Sequence, residues 1–455
     1  MKKTILLTAL AAVSFANTTF AQDEDPDKYY VRNSLYMLKL DEKAENKDYE
    51  EAFKIMNATF DTINFARNYE RYNDFALKER HIDFEATPQV TQEEMDQVGK
   101  MNALEKMIDE QLRGMGLKKA RSEYEYAARL LKYFEQEKTA QKLVAKWYNK
   151  PGTPEGVCNF DMDLATITEL GLKGLSKEAY ENAKATESLL SMAAGSTDKL
   201  LSNTYVCVNR YGYVDAKEYT AVVVAGLKMA TSRLGALGGI ANMGIDAVAS
   251  KIKGYFVRAN AYLFQLDWNA DLRNKVEGEY WKDSLAMQKL LDDNSFKLKY
   301  IGKSSKHAPG ALSLRNTTTL DKLIARGTLR GSDAAIAALQ RDNENFRPMA
   351  SLHVKDGKLI AYIGLKEGVK SGDKFNVFTA KLGKNGDVEW EQVGSIKVNK
   401  GTIWDNRAGA GEQIEGAAED KSDKDAEDGG QNPWTEFKEK PGKKIGEGCM
   451  IRLAK

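Results

Sequence analysis

The chain has 455 residues, and its 67 lysines and arginines nearly balance its 66 aspartates and glutamates, giving a formal net charge of +1. This balance leaves no overall basic field, which argues against nucleic-acid binding. Hydrophobic residues make up 42% and charged residues 29% of the chain, a composition typical of folded globular protein. The length is enough for roughly two to four domains.

Residues 1–22 have the pattern of a cleaved export signal. Lys2 and Lys3 form the charged start, residues 5–15 form an apolar run, and the small residue Ala21 suits cleavage after it. The run is too short to span a bilayer, which needs about 20 apolar residues. We therefore expect a chain that is exported to the periplasm or to the outer membrane.

The rest of the chain is predicted to be an α+β protein with three parts. Residues 23–150 form a helical N-terminal part, residues 151–345 a central α/β segment, and residues 346–455 a C-terminal β domain. The β domain is expected to be a small barrel or sandwich. It is interrupted at residues 409–431 by an acidic, Gly-rich insert, which is predicted to be a disordered loop because it is too polar to offset its ordering entropy.

Helical spacing is clearest near the N-terminus. Tyr49, Phe53 and Met56 recur at intervals of four and three residues, which places them on one face of a helix. Thr91 and Glu94 have the spacing of a capping box, in which each side chain bonds the backbone of the other residue.

The central part contains three strand signals, at residues 204–209, 254–268 and 296–301. The second alternates between apolar and other residues, with Asn260 as a polar interruption. Between the first two lies a small, apolar segment at 221–248. Its composition favours a helical pair buried against the sheet, and the alternative is peripheral contact with a membrane or a partner.

The C-terminal part reads as a series of short strands with tight turns. The pairs Asp356-Gly357 and Asn385-Gly386 are typical of two-residue hairpin loops. Gly368 and Gly372 predict positive φ angles in a further turn, and Asp373 is expected to bond the N–H groups of its neighbours.

Motifs for catalysis, cofactors and metals are missing from the sequence. The histidines 81, 307 and 353 lack ligand spacing, and no nucleophile elbow or zinc-protease helix occurs. Gly302-Lys303-Ser304 resembles the end of a phosphate loop, but Lys297 replaces the required glycine, so a turn is predicted instead. We therefore predict no catalytic, cofactor-binding or metal-ligating residue, and no cofactor.

Several stretches together resemble exported proteins of gut Bacteroidetes that carry no known catalytic role. The resemblance covers about residues 140–400 and rests on the segments 143–149, 160–164, 200–206, 260–269 and 363–375. Segment 366–375 is also similar to the small β-domain of periplasmic flagellar-assembly proteins. The preceding strand and helix pattern is faintly similar to the periplasmic fold of curli-type secretion proteins, an analogy at the level of fold alone.

Two kinds of covalent modification follow as hypotheses. Asp61-Thr62-Ile63 and Asp283-Ser284-Leu285 fit the O-glycosylation pattern of the resembled group, which implies Thr62 and Ser284 as acceptors. Cys158 and Cys207 fall in the same predicted part of the chain, so a disulfide between them is one reading. Burial of Cys207 as a small hydrophobe is the other.

These observations favour a non-enzymatic exported envelope protein that acts as a structural or protein-interaction module with envelope partners. Two alternatives stay open. One is a glycan or peptide hydrolase that uses two carboxylates 5–10 Å apart in a cleft. The other is a glycan-binding module, for which Trp281, Trp404 and Trp434 would lie exposed in one plane. The sequence does not determine the oligomeric state.

Overall fold

The protein is a mixed α/β protein in which helices cover both faces of a central sheet. A computed structural model describes residues 30–31, 35–43, 47–63, 78–99, 122–148, 201–215, 255–280, 286–310, 320–382, 388–408 and 432–454. The predictions for the leader at 1–22, the segment at 221–248 and the insert at 409–431 lie outside these residues.

The described residues form seven helices and three sheets. The strands are β1 Tyr30–Val31, β2 Leu35–Asp41, β3 Lys78–Asp83, β4 Tyr205–Asp215, β5 Tyr255–Leu266, β6 Leu298–Gly310, β7 Met349–Ser351, β8 His353–Lys355, β9 Lys358–Ala361, β10 Lys374–Leu382, β11 Val388–Lys397, β12 Thr435–Glu436 and β13 Met450–Leu453. The helices are α1 Glu50–Thr62, α2 Gln92–Val98, α3 Glu123–Gln136, α4 Thr139–Tyr148, α5 Ala270–Lys275, α6 Ala286–Asp292 and α7 Leu320–Asp342.

The central sheet has the strand order β3-β2-β4-β5-β6. Strand β2 is parallel to both β3 and β4, whereas β4, β5 and β6 run antiparallel to one another. A parallel neighbour needs a crossover connection, and α1 lies in the chain between β2 and β3. The parallel pairs therefore place the carboxyl ends of β2 and β3 at the same edge of the sheet.

Side chains of the central sheet alternate between two separate hydrophobic cores. Leu38 and Tyr262 pack with α3 and α4 on one face, here called the α3 face. Met37 and Leu263 pack with α1 and α7 on the other, here called the α7 face. This alternation is expected for strands covered on both faces, and it explains why β2 is buried along almost its whole length.

The C-terminal part contains the other two sheets, with the orders β1-β7-β13-β10-β11 and β12-β9-β8. One hydrophobic cluster, which includes Leu359, Val377, Ile396 and Ile451, draws residues from both. None of the sheets in the described residues closes into a barrel, because β1 and β11 stand at opposite edges of their sheet without pairing. The prediction of a small barrel is therefore wrong for the described residues, which form two open sheets in this part of the chain.

Several local predictions are confirmed. The three strand signals of the central part correspond to β4, β5 and β6. Asp356 and Gly357 have φ angles of 51° and 71°, as a tight hairpin turn requires. Thr91 and Glu94 form the predicted capping box, with Glu94 N donating to Thr91 Oγ1 at 3.2 Å and Thr91 N to Glu94 Oε2 at 2.6 Å.

Two predictions need correction. The helical pattern assigned to residues 23–150 missed β2 and β3, which belong to the central sheet, and β1, which pairs with β7 in the C-terminal sheet. Residues 302–304 lie inside β6 and pair with residues 261–263 of β5, so they do not form a turn. Backbone pairing with β5 overrides the turn preference of Gly302.

Helix α7 joins the central sheet to the C-terminal sheets. Its Arg341 donates from Nη1 and Nη2 to the two carboxylate oxygens of Asp373, at 2.7 and 3.0 Å, and from Nη1 to the Gly368 carbonyl at 3.0 Å. Asp373 also accepts from the Lys370 N–H at 2.8 Å, as predicted. The turn around residues 366–375 is therefore the docking element between α7 and the C-terminal sheets.

This joint yields a matched pair of stability predictions. Gly368 and Gly372 have φ angles of 74° and 79°, but only Gly368 faces a neighbour: an added Cβ would lie 2.9 Å from Ala337 Cβ, whereas nothing lies within 4 Å at Gly372. We expect Gly372→Ala to lower the free energy of unfolding by about 1–2 kcal/mol, and Gly368→Ala by about 2–4 kcal/mol. Urea denaturation measures both, and equal losses would contradict the close packing at Gly368.

Candidate functional site

The carboxyl end of β2 is where polar side chains concentrate. Ligand sites in α/β sheets form outside the carboxyl ends of parallel strands, and Asp41 and Glu42 occupy this position. Because successive residues of an extended segment point to opposite faces, each carboxylate anchors a separate network on its own side of the sheet.

The network on the α3 face is centred on Arg210 of β4. Its Nε donates to Glu42 Oε2, and its Nη1 lies 3.4 Å from Glu123 Oε1 at the start of α3. The hydroxyl of Tyr126 donates to Glu42 Oε1 at 2.6 Å, and that of Tyr262 donates to Glu123 Oε2. One cation and two phenols thus hold both carboxylates.

The charges of this network favour a protonated Arg210. Burial alone would lower the pKa of Arg210, but Tyr262, Glu42, Tyr126 and Glu123 together raise it above its ordinary value. The guanidinium also lies 4.1 Å from the centre of the Tyr126 ring, a cation–π contact. Burial, followed by the charge of Glu123, raises the pKa of Tyr262 well above its ordinary value, so this phenol remains a hydrogen-bond donor.

The network on the α7 face is centred on His81 of β3. Its Nδ1 lies 2.8 Å from Asp41 Oδ2 and its Nε2 lies 2.9 Å from Asp61 Oδ1 on α1. The buried Lys39 bonds the other oxygen of Asp41. Burial lowers the pKa of Lys39, and the charges of Asp41, Asp61 and Glu42 oppose that change only in part.

Neither network is arranged as a metal site. The two imidazole nitrogens of His81 each face a different carboxylate, so they do not converge with the carboxylates on one point. Within the described ranges, no group of three His, Cys, Asp or Glu side chains has a geometry that could hold a metal ion. The networks instead connect β2 to α3, β4, β5, β3 and α1.

Unpartnered polar atoms lie beside the Arg210 network. Asn260, directly across from Arg210 in the β4–β5 register, is buried, and both of its amide atoms lack a hydrogen-bond partner. Nε of Arg258, two residues earlier on the same face, is also buried and without a partner. Asn209, on the opposite face, differs in that its Nδ2 donates to the Leu38 carbonyl at 3.3 Å, while its Oδ1 is also buried without a partner.

A small cleft lies at the α7 joint, away from both networks. Arg341, Arg347, Asp373 and Phe375 are among its lining residues. Its cavity volume of ≈ 30 Å³ holds only one or two waters. It is therefore too small for a sugar or peptide substrate, and its ion pair is already part of the joint.

The residues proposed for modification occupy different places. Thr62 is the last residue of α1; its side chain is exposed, and its hydroxyl donates to the Thr59 carbonyl at 2.7 Å. Cys207 is fully buried in the α7-face core. Ser284 and Cys158 lie outside the described residues, so the glycosylation and disulfide hypotheses stay predictions.

The tryptophans do not form the exposed plane that a glycan-binding surface would need in the described part of the chain. Trp404 and Trp434 are both half-buried. Trp434 is covered by Lys355, whose Nζ lies 3.8 Å from the centre of its ring. Trp281 lies outside the described residues.

No sequence pattern marks the residues of either network. Glu42 and Glu123 are 81 positions apart in the sequence and Arg210 is farther still, so spacing gave no signal that they meet. The recognition of β2 as a strand would have placed Asp41 and Glu42 at a strand end. Asn260, which lies beside the Arg210 network, does give a sequence signal, because it is a polar residue in an otherwise apolar strand.

Comparison of the chain with protein-family models, curated proteins and solved structures gives no match. No family is therefore shown for this chain. Among the helices in the described residues, none has both the length and the apolarity needed to cross a bilayer.

Removal of the central cation should destabilise the fold. In Arg210→Met, the largely buried carboxyl groups of Glu42 and Glu123 would lose the guanidinium that bonds both of them. We expect a loss of about 3–5 kcal/mol in the free energy of unfolding, measured by urea denaturation. Arg210→Lys keeps the positive charge but not the forked guanidinium that donates to two carboxylates, so its loss of unfolding free energy should be smaller. An Arg210→Met variant within 1 kcal/mol of the native protein would contradict this role.

Lys39→Met should have the opposite effect at neutral pH. Burial of Lys39 disfavours its protonated form in the folded state, and Met removes the charge at similar size, so we expect a gain in the free energy of unfolding at pH 7. Because the folded pKa lies below the unfolded one, the unfolded chain binds more protons between the two values. Native stability therefore rises with pH in this range, and the advantage of the variant shrinks. A variant that is less stable at pH 7 would contradict the prediction.

Proposed function

We propose that the chain is an exported cell-envelope protein that acts as a structural or protein-interaction module, and not as an enzyme. One observation carries the proposal: Arg210 donates both to Glu42, at the carboxyl end of β2 where an α/β active site is expected, and to Glu123 at the start of α3. Two-carboxylate hydrolysis requires one carboxyl group to be free to act as an acid toward the substrate, whereas both carboxylates here are held by the Arg210 guanidinium and by the hydroxyls of Tyr126 and Tyr262.

The second network supports the same conclusion. Asp41 and Asp61 are both engaged by His81, and Asp41 also by Lys39. These contacts tie α1 and β3 to β2, which is what a rigid scaffold requires. Rigid elements whose carboxylates bond to neighbouring strands and helices favour a role in which surfaces are presented to other proteins.

The proposed cellular location of the chain is an expectation from its sequence, as is its resemblance to other exported proteins. The pattern of residues 1–22 favours export with cleavage after Ala21, and hence a periplasmic or outer-membrane location. The likeness to exported Bacteroidetes proteins and to the β-domain of flagellar-assembly proteins favours the same compartment. The division at residues 150 and 345, with a mainly helical first part and a β last part, belongs to this proposal.

A surface feature suggests where contact with a partner can be tested. Val354, on the edge strand β8, is 38% exposed and is the exposed large apolar side chain of the described residues. Edge strands with apolar side chains are sites at which other chains bind. The backbone N–H of Val354 itself donates to Glu447 Oε2, at 2.5 Å.

A cross-linking experiment tests the interaction role. A photo-reactive residue placed at position 354 in the exported chain should cross-link to one defined envelope protein, whereas the same residue at the fully buried Ala261 should not. The mass of the purified chain should correspond to a start at Gln22. Cross-links equal to the buried control would count against the proposal.

The hydrolase alternative is tested with the same preparation. The exported chain is assayed against peptidoglycan, polysaccharide and peptide substrates, beside Glu42→Gln and Glu123→Gln variants whose folding is checked by circular dichroism. We expect no turnover that depends on either carboxylate. Turnover in the native chain that either substitution abolishes would overturn the proposed function.

A further inference from the structure

Asn260 is the most unusual buried residue of the central sheet. It is 2% exposed, and neither its Nδ2 nor its Oδ1 has a hydrogen-bond partner. Buried side-chain amides are almost always bonded, because an unpaired donor or acceptor in the interior is strongly unfavourable. An amide kept in this state in the middle of a strand points to a partner that binds from outside.

Arg258 lies next to Asn260 on the same face of β5 and also has a buried polar atom without a hydrogen-bond partner. Its Nε is buried without a partner, and no ion pair joins it to a carboxylate in the described part of the chain. The guanidinium lies over Gly212, where an added Cβ would be 3.3 Å from Nη2 and 3.4 Å from Nε. Gly212 thus provides the space for the half-buried Arg258.

The contrast with Arg210 shows why these two residues stand apart. Arg210 lies directly across from Asn260, but its charge is neutralised by Glu42 and Glu123. Arg258 keeps an uncompensated charge a short distance away on the same face. On this face of β5, three groups therefore lack a hydrogen-bond partner: the cationic N–H donor of Arg258, and the amide donor and the amide acceptor of Asn260.

We propose that Arg258 and Asn260 bind a carboxylate-bearing peptide segment of an envelope partner. A carboxylate accepts from the Arg258 guanidinium, a charge-assisted bond, and the adjacent peptide group pairs with Asn260, its N–H donating to Oδ1 and its carbonyl accepting from Nδ2. This inference rests on the proposed interaction role and assigns it a recognition chemistry.

Peptide titrations test the recognition chemistry. The exported chain, labelled with ¹⁵N, is titrated with the blocked peptide acetyl-Gly-Asp-Gly-amide while the Asn260 side-chain and Arg258 Nε–H signals are followed. We expect saturable shifts of both signals, and binding at least about 10-fold weaker for the neutral peptide with Asn in place of Asp. No shift with either peptide would overturn the proposal, as would saturation by glucuronate without saturation by the peptide.

Substitution of Asn260 separates a binding role from a structural one. Asn260→Leu removes the unpaired amide at similar volume, so we expect the Tm to rise by roughly 2 °C while peptide binding falls at least about 10-fold. Arg258→Gln should weaken binding similarly. Asn209→Leu, on the opposite face, serves as the matched control and should leave binding unchanged. A lower Tm or native binding in Asn260→Leu would overturn the proposal.

The outcomes also separate this site from the proposed function. Suppose that Arg258→Gln loses peptide binding in solution but keeps the cross-link at position 354. Recognition then uses Arg258 for one segment and the β8 edge for another, and both proposals hold. If the peptide does not bind while the cross-link persists, the site is wrong and the interaction role stands. Carboxylate-dependent turnover would overturn the function whatever the peptide does.

Discussion

The ion pairs of Arg210 with Glu42 and Glu123 hold together the part of the molecule on which the other elements are built. They join the end of β2 to β4 and to the start of α3, and Tyr262 extends the connection to β5. Two carboxylates can stay in this largely buried position because one guanidinium neutralises both. The sheet carries α3 and α4 on one face, and α1 and α7 on the other.

The same arrangement supports the proposed role in recognition over the hydrolase alternative. The carboxylates at the end of β2 are used to fix strands and helices to one another, through Arg210 on one face and His81 on the other. Among the buried polar groups of the described residues that lack a hydrogen-bond partner are a cation and an amide on one face of β5, Arg258 and Asn260. Such groups can orient a ligand, but they supply neither a nucleophile nor a proton-transfer pair.

Local features were predictable from the sequence where a few neighbouring residues determine them. The Thr91–Glu94 capping box and the Asp356-Gly357 turn are of this kind. Strand β2 was missed because both of its faces are buried, so the alternation that marks a strand is lost. The Arg210 network was missed because its members come from four elements, and only the folded chain brings them together.

The pairing of β7 has a topological consequence. Tyr30 of β1 and Ile451 of β13 both pair with Ala350 from opposite sides, so these distant points of the chain lie about 10 Å apart across one strand. A short linker could join them without a change in any strand neighbour. The architecture is therefore compatible with circular permutation, in which new ends are opened in a surface loop and the order of the strands in space is kept.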